Sequence, residues 1–201
     1  MEFDITICKK FDDNINIDYG IVNGNNTILF IKAGQDGSMY GYENKYLQIA
    51  KRINEKYGYT VIASSNPFDG RNPLDNAIEV IEEYCKNKFD DYDIYYMGHS
   101  NGGIIGAWFG NNYEKIKRML LINAPLMYNW HKTKDGIKKF GGELLSLVYG
   151  EYDQSIKYTE LLLPLTNEKI KLNIIENEDH HFKNNMEDFL SLPEKYLIEI
   201  E

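Results

Sequence analysis

Cysteine is scarce in this chain. Cys8 and Cys85 are the two among 201 residues. They form no CxxC pair and stand beside no histidine pair, so the spacing of a zinc site is missing. Counting leaves a disulfide between them open, and two buried free thiols are the expectation. Proline is also rare, with five in the chain, and no repeat, low-complexity tract or Pro/Ser-rich linker offers a domain boundary. A single domain over residues 1–201 is expected. Positive charge is in deficit: Lys+Arg is 22 against Asp+Glu 31, a net −9. Such a surface repels phosphate backbones and anionic bilayers, which argues against nucleic-acid and membrane partners. No apolar run approaches the roughly 20 residues that span a bilayer. The opening MEFDITICKKFDDN carries Glu2 and Asp4 and lacks the basic and apolar regions of a signal peptide. These features predict a soluble, cytoplasmic protein.

What is present is globular. Hydrophobic residues make up 43% and charged residues 26%, and 16 tyrosines dominate the aromatics. Short apolar runs alternate with stretches of helical periodicity. Phe3–Cys8 and Ile15–Ile21 read as strands joined by a turn at Asp12, Asp13 and Asn14. Further strands are predicted at Thr27–Ile31, Tyr59–Ala63, Asp93–Met97, Arg118–Ile122, Leu144–Tyr149 and Ile170–Ile175. Helices are predicted at Glu43–Lys56, Pro73–Asn87, Gly102–Gly110, Gln154–Leu163 and Asn184–Glu201. Strands alternating with helices give an α/β fold with a mostly parallel sheet, helices on both faces and an antiparallel N-terminal edge. Chemistry in such a sheet belongs beyond the carboxyl ends of its strands.

Gly98-His99-Ser100-Asn101-Gly102 matches G-x-S-x-G and lies between a predicted strand and a predicted apolar helix. Glycines on both sides let a serine occupy a sharp, strained strand-to-helix turn. Its hydroxyl is then exposed at a helix N-terminus, where free N–H groups favour developing negative charge. Serine needs a base. Of four histidines, His99 should point away from its neighbour Ser100 and serve structure, and His131 falls in a polar stretch read as a surface loop. His180 and His181 follow the strand Ile170–Ile175, on the same rim as Ser100. Asp153, with Glu151 as rival, follows the strand Leu144–Tyr149. Asp153 also fits a helix N-cap. The backbone N–H groups of Asn101 and of Gln35, in the glycine-bearing loop after Thr27–Ile31, are the candidate oxyanion donors.

The order Ser100, Asp153, His180 resembles that of the α/β-hydrolase superfamily, and the resemblance to a small member covers essentially the whole chain. Its motifs are GHSNG as nucleophile elbow, YGEYD as acid loop and EDHHF as histidine loop. The family's D-H-x-F-like segment selects His180 over His181. Where members commonly begin the oxyanion loop with His-Gly, this chain reads Lys32-Ala33-Gly34. The resemblance implies a serine hydrolase acting on a carboxylic ester or thioester, with no metal or organic cofactor and a small-molecule acyl substrate. The same triad types also serve peptidases and acyltransferases, and a non-catalytic binding protein can keep the fold. Between Pro125 and Gly142 there is too little chain for a lid domain. Leu126, Met127, Tyr128 and Trp130 there either wall a pocket or form a surface helix with an apolar underside.

Overall fold

The computed structural model describes residues 2–11, 14–67 and 72–199. Among these residues eight strands form one sheet in the order β1-β2-β4-β3-β5-β6-β7-β8. They are β1 (Ile5–Lys10), β2 (Asn16–Val22), β3 (Asn25–Lys32), β4 (Tyr59–Ser64), β5 (Asp93–His99), β6 (Ile116–Ile122), β7 (Leu144–Gly150) and β8 (Ile170–Ile175). β2 runs antiparallel to both neighbours, and β3 to β8 are mutually parallel. Of the expected first turn, Asp12 and Asp13 lie outside the described residues, and Asn14 takes a left-handed φ of 61°.

Among the described residues five α-helices cover the sheet: α1 (Lys45–Tyr57), α2 (Pro73–Cys85), α3 (Asn101–Phe109), α4 (Trp130–Lys139) and α5 (Met186–Pro193). Alternate residues of each strand feed opposite faces. Ile28 and Phe30 of β3 pack with Leu74, Ile81 and Ile105 of α2 and α3. Leu29 and Ile31 pack with Leu47, Ile53 and Phe189 of α1 and α5. Both faces of the inner parallel strands are therefore buried, which is why those strands read as continuous apolar runs, whereas the edge strand β8 is partly exposed.

Three expectations are corrected. Gln154–Leu163 is two short 3₁₀ segments, Ile156–Leu161 and Leu163–Leu165, rather than an α-helix; Pro164 supplies no N–H to extend the ladder. The closing helix starts at Met186, where the Asn185 side chain accepts the Glu187 N–H, and gives way after Pro193 to a π-helical turn, Glu194–Ile198. His131 lies on α4, not in a loop; the Asn129 side chain caps that helix by accepting the Lys132 N–H. The underside of α4, through Thr133, Gly136 and Ile137, is buried against α3, while Met127 and Tyr128 ahead of it are exposed.

Strand order reverses between β3, which leads to β4 on one side, and β5, which leads to β6 on the other. The loops leaving β3 and β5 diverge there and open a crevice at the carboxyl edge of the sheet.

Candidate active site

Ser100 follows β5 directly and sits in that crevice, with φ 54° and ψ −118°. A left-handed φ is costly for a residue with a side chain, so the surroundings must enforce it. Its N–H is fixed by the Ile122 carbonyl of β6 at 2.8 Å, and its own carbonyl accepts the Ile104 N–H of α3. The two flanking glycines are required by close approach. A Cβ on Gly98 would lie 2.4 Å from the Gly102 carbonyl oxygen, and one on Gly102 would lie 2.3 Å from the Lys32 carbonyl oxygen.

The loops after β7 and β8 converge on this serine. His180 Nε2 lies 2.9 Å from Ser100 Oγ, and His180 Nδ1 lies 2.5 Å from Asp153 Oδ2. A carboxylate only accepts, so Nδ1 carries the ring proton and Nε2 is left to accept the serine hydroxyl. Asp153 is 2% exposed, and its second oxygen takes the Ser155 N–H at 2.6 Å. Both carboxylate oxygens are thus engaged by N–H partners. Glu151 is exposed and accepts the Asn177 N–H instead. His181 is exposed beside His180, with ring centres 5.0 Å apart, and touches neither Ser100 nor Asp153 among the recorded hydrogen bonds of the described residues. Partial desolvation of the ring, then His180 whenever it is protonated and the positive charge of Lys45, lower the His181 imidazole below its ordinary value.

His99 is 5% exposed and turns away from Ser100. Its Nε2–H donates to the His180 carbonyl at 2.9 Å, and its Nδ1 faces the Tyr46 hydroxyl at 3.4 Å. Burial, reinforced by the positive charge of Lys45, holds the His99 imidazole well below its ordinary value and so neutral. A chain of bonds therefore runs from Tyr46 of α1, through His99, to the backbone of His180. Asn123, just past β6 with φ 47°, braces the same point from the other side. Its Nδ2 donates to the His180 carbonyl at 3.0 Å and to the Asp179 carbonyl at 3.2 Å, while its Oδ1 accepts the Gly150 N–H. Tyr46 and Asn123 escaped the reading of the sequence; an asparagine directly after an apolar strand, before Ala124-Pro125, was the available signal for the second.

Gln35 lies in the loop after β3 and Asn101 opens α3, so both candidate donors belong to segments next to Ser100 in the fold. Gly34 brings its loop against the nucleophile: a Cβ there would lie 3.3 Å from Ser100 Cβ. The Asn101 N–H opens the first turn of α3, where no intrahelical acceptor exists. Among the described residues no cluster of His, Cys, Asp or Glu is arranged to hold a metal ion.

No protein-family model matches the sequence, and no curated protein matches it. Solved structures do match in shape. Est1E from Butyrivibrio proteoclasticus superposes with a TM-score of 0.72 at 16% identity, over 92% of this chain and 94% of its own. An esterase domain from Rhodothermus marinus gives 0.69 at 14% identity over 94% of each. An α/β serine hydrolase without lid from Xanthomonas campestris gives 0.70 at 12% identity over 94% of this chain and 92% of its own. The chain has the α/β-hydrolase fold.

Proposed function

We propose that this protein is a serine hydrolase that cleaves a carboxylic ester or thioester. The observation that carries the reading is the unbroken chain from Ser100 Oγ to His180 to buried Asp153, on a serine held at positive φ in the crevice of the sheet. The names of similarly folded esterases and serine hydrolases agree with it.

In this mechanism Ser100 Oγ attacks the substrate carbonyl carbon while His180 Nε2 takes the hydroxyl proton. Asp153 keeps the imidazole in the tautomer that can accept, and stabilises the imidazolium that forms. The Asn101 and Gln35 N–H groups receive the oxyanion, each worth about 3 kcal/mol in comparable sites. His180 then hands its proton to the leaving alcohol or thiol as the tetrahedral intermediate collapses to an acyl-Ser100 ester. Water, deprotonated by the same imidazole, attacks that ester and releases the acid. The link from β6 to β7 holds α4 and no lid domain, so the acyl group is small or reaches the serine from open solvent.

Labelling with a fluorophosphonate probe tests the reading. The wild-type protein should be labelled and should hydrolyse a short-chain p-nitrophenyl ester, and Ser100→Ala should lose both. Full turnover in Ser100→Ala would remove the serine from the chemistry.

A further inference from the structure

The proposed reaction needs two backbone donors, on separate loops, aimed at one oxygen. Misplacement of either by an ångström wastes its stabilisation. One residue beyond the proposed triad and donors ties the two loops together. Asn66 follows β4 by two residues and is 2% exposed. Its Nδ2 donates at 2.9 Å to the Ala33 carbonyl and at 2.9 Å to Asn101 Oδ1. Its backbone N–H donates to the Gly37 carbonyl at 3.0 Å, and its own carbonyl accepts the Asp36 N–H at 2.8 Å.

We propose that Asn66 is the positioning residue of the oxyanion hole, setting the Gln35 and Asn101 N–H groups relative to each other. The inference rests on the hydrolase reading above and deepens it. Within the β3 loop, the Gly34 carbonyl accepts the Gly37 N–H at 2.9 Å. A trans peptide points its carbonyl and its N–H in opposite directions. The Gln35 N–H, on that same peptide, therefore points out of the turn. Asn66 grips this peptide on both sides, at Ala33 before it and at Asp36 and Gly37 after it. Its amide then reaches across to the first residue of α3. An asparagine side chain in a first helical turn competes for the free N–H groups there. Occupied by Asn66, the Asn101 Oδ1 is held off the N–H that the oxyanion requires.

Such a residue acts on the transition state and leaves substrate binding almost untouched. Four proteins are compared on one p-nitrophenyl ester: wild type, Ser100→Ala, Asn66→Ala and Asn101→Ala. For Asn66→Ala, kcat should fall at least tenfold with KM within threefold. The Kd of an alkylboronic acid, which forms a tetrahedral adduct on the serine, should rise by a similar factor. Asn101→Ala keeps its backbone N–H but removes the acceptor of Asn66, and should show a smaller loss of the same kind. It also carries the test if circular dichroism shows Asn66→Ala unfolded. A folded Asn66→Ala with kcat within twofold of wild type overturns the proposal, as does a loss confined to KM. So does, where Asn66→Ala does not fold, an Asn101→Ala with wild-type kcat. Wild-type turnover in Ser100→Ala is a different failure, that of the hydrolase reading itself.

Discussion

A carboxylate beside a histidine matters here through the proton it fixes rather than the charge it adds. Asp153 reaches His180 Nδ1, while Glu151, two residues earlier on the same loop, is spent on the Asn177 N–H. Asp153→Asn offers the ring an amide that can donate, favouring the tautomer in which Nε2 carries the proton and cannot accept from serine. Turnover on a short-chain ester should fall by about 10⁴ with the fold intact. Glu151→Gln keeps an acceptor for Asn177 and should stay within a few-fold of wild type. Side-by-side turnover with circular dichroism separates them; a severe loss in Glu151→Gln alone would transfer the role. Ser100, Asp153 and His180 were legible as candidates because each lies in a loop beyond the carboxyl end of an apolar strand. The bracing groups were not. Tyr46, Asn66 and Asn123 are common residue types whose partners lie 53, 35 and 57 residues away in sequence, at His99, Asn101 and His180. No local pattern encodes such pairings.

Elements were legible where period and length agreed. The buried parallel strands announced themselves as apolar runs, and β8 begins and ends where the pattern places it. The edge strand β1 lies two residues later than Phe3–Cys8; the Phe3 ring instead packs against Gly20 of β2, where a Cβ would come within 2.3 Å of it. Helix α4 was the least legible, since Gly136 weakens its propensity and its reason is tertiary. A Cβ on Gly136 would lie 1.7 Å from the Ala107 carbonyl of α3. Helical propensity favours alanine over glycine by about 1 kcal/mol, but overpacking costs about 1–3 kcal/mol or more and should win here. Gly136→Ala should therefore destabilise the protein by about 2 kcal/mol in urea denaturation. Gly141→Ala, with nothing within 4 Å of its new Cβ, should be nearly neutral. Equal effects of the two substitutions would mean that α3 and α4 do not pack this closely.

Across the whole molecule, burial of ionisable groups gives stability a pH dependence with a definite sign. His99 and His181 are held below their ordinary values, and Lys45, buried over the Phe189 ring, is lowered to about 8. Each base binds its proton less readily folded than unfolded. As pH falls below a group's unfolded value, the unfolded chain takes up protons that the folded chain refuses, and stability drops. Lys45 exacts its full cost already below about pH 8, so it contributes little slope between pH 7 and 5. His99 dominates that window. It is held neutral by burial and by facing positive charge from Lys45, with His180 and His181 adding to it whenever they are protonated. Carboxylates lowered by cationic or backbone partners, Asp4 and Glu194 among them, extend the loss below about pH 4. At the alkaline end the sign reverses. Buried Tyr46, Tyr96 and Tyr149 are raised, so the unfolded chain ionises first above about pH 10. One unshared proton at His99 is worth up to about 1.4 kcal/mol per pH unit below its unfolded value of about 6.5. His99→Gln keeps a donor for the His180 carbonyl and does not titrate. Urea denaturation at pH 7.0, 6.0 and 5.0 should therefore show wild-type stability falling more steeply than that of His99→Gln, by close to one proton at the acid end. Parallel pH profiles would mean that His99 takes up its proton in the folded protein as readily as in the unfolded chain, and the neutral strut from Tyr46 to His180 would have to be abandoned.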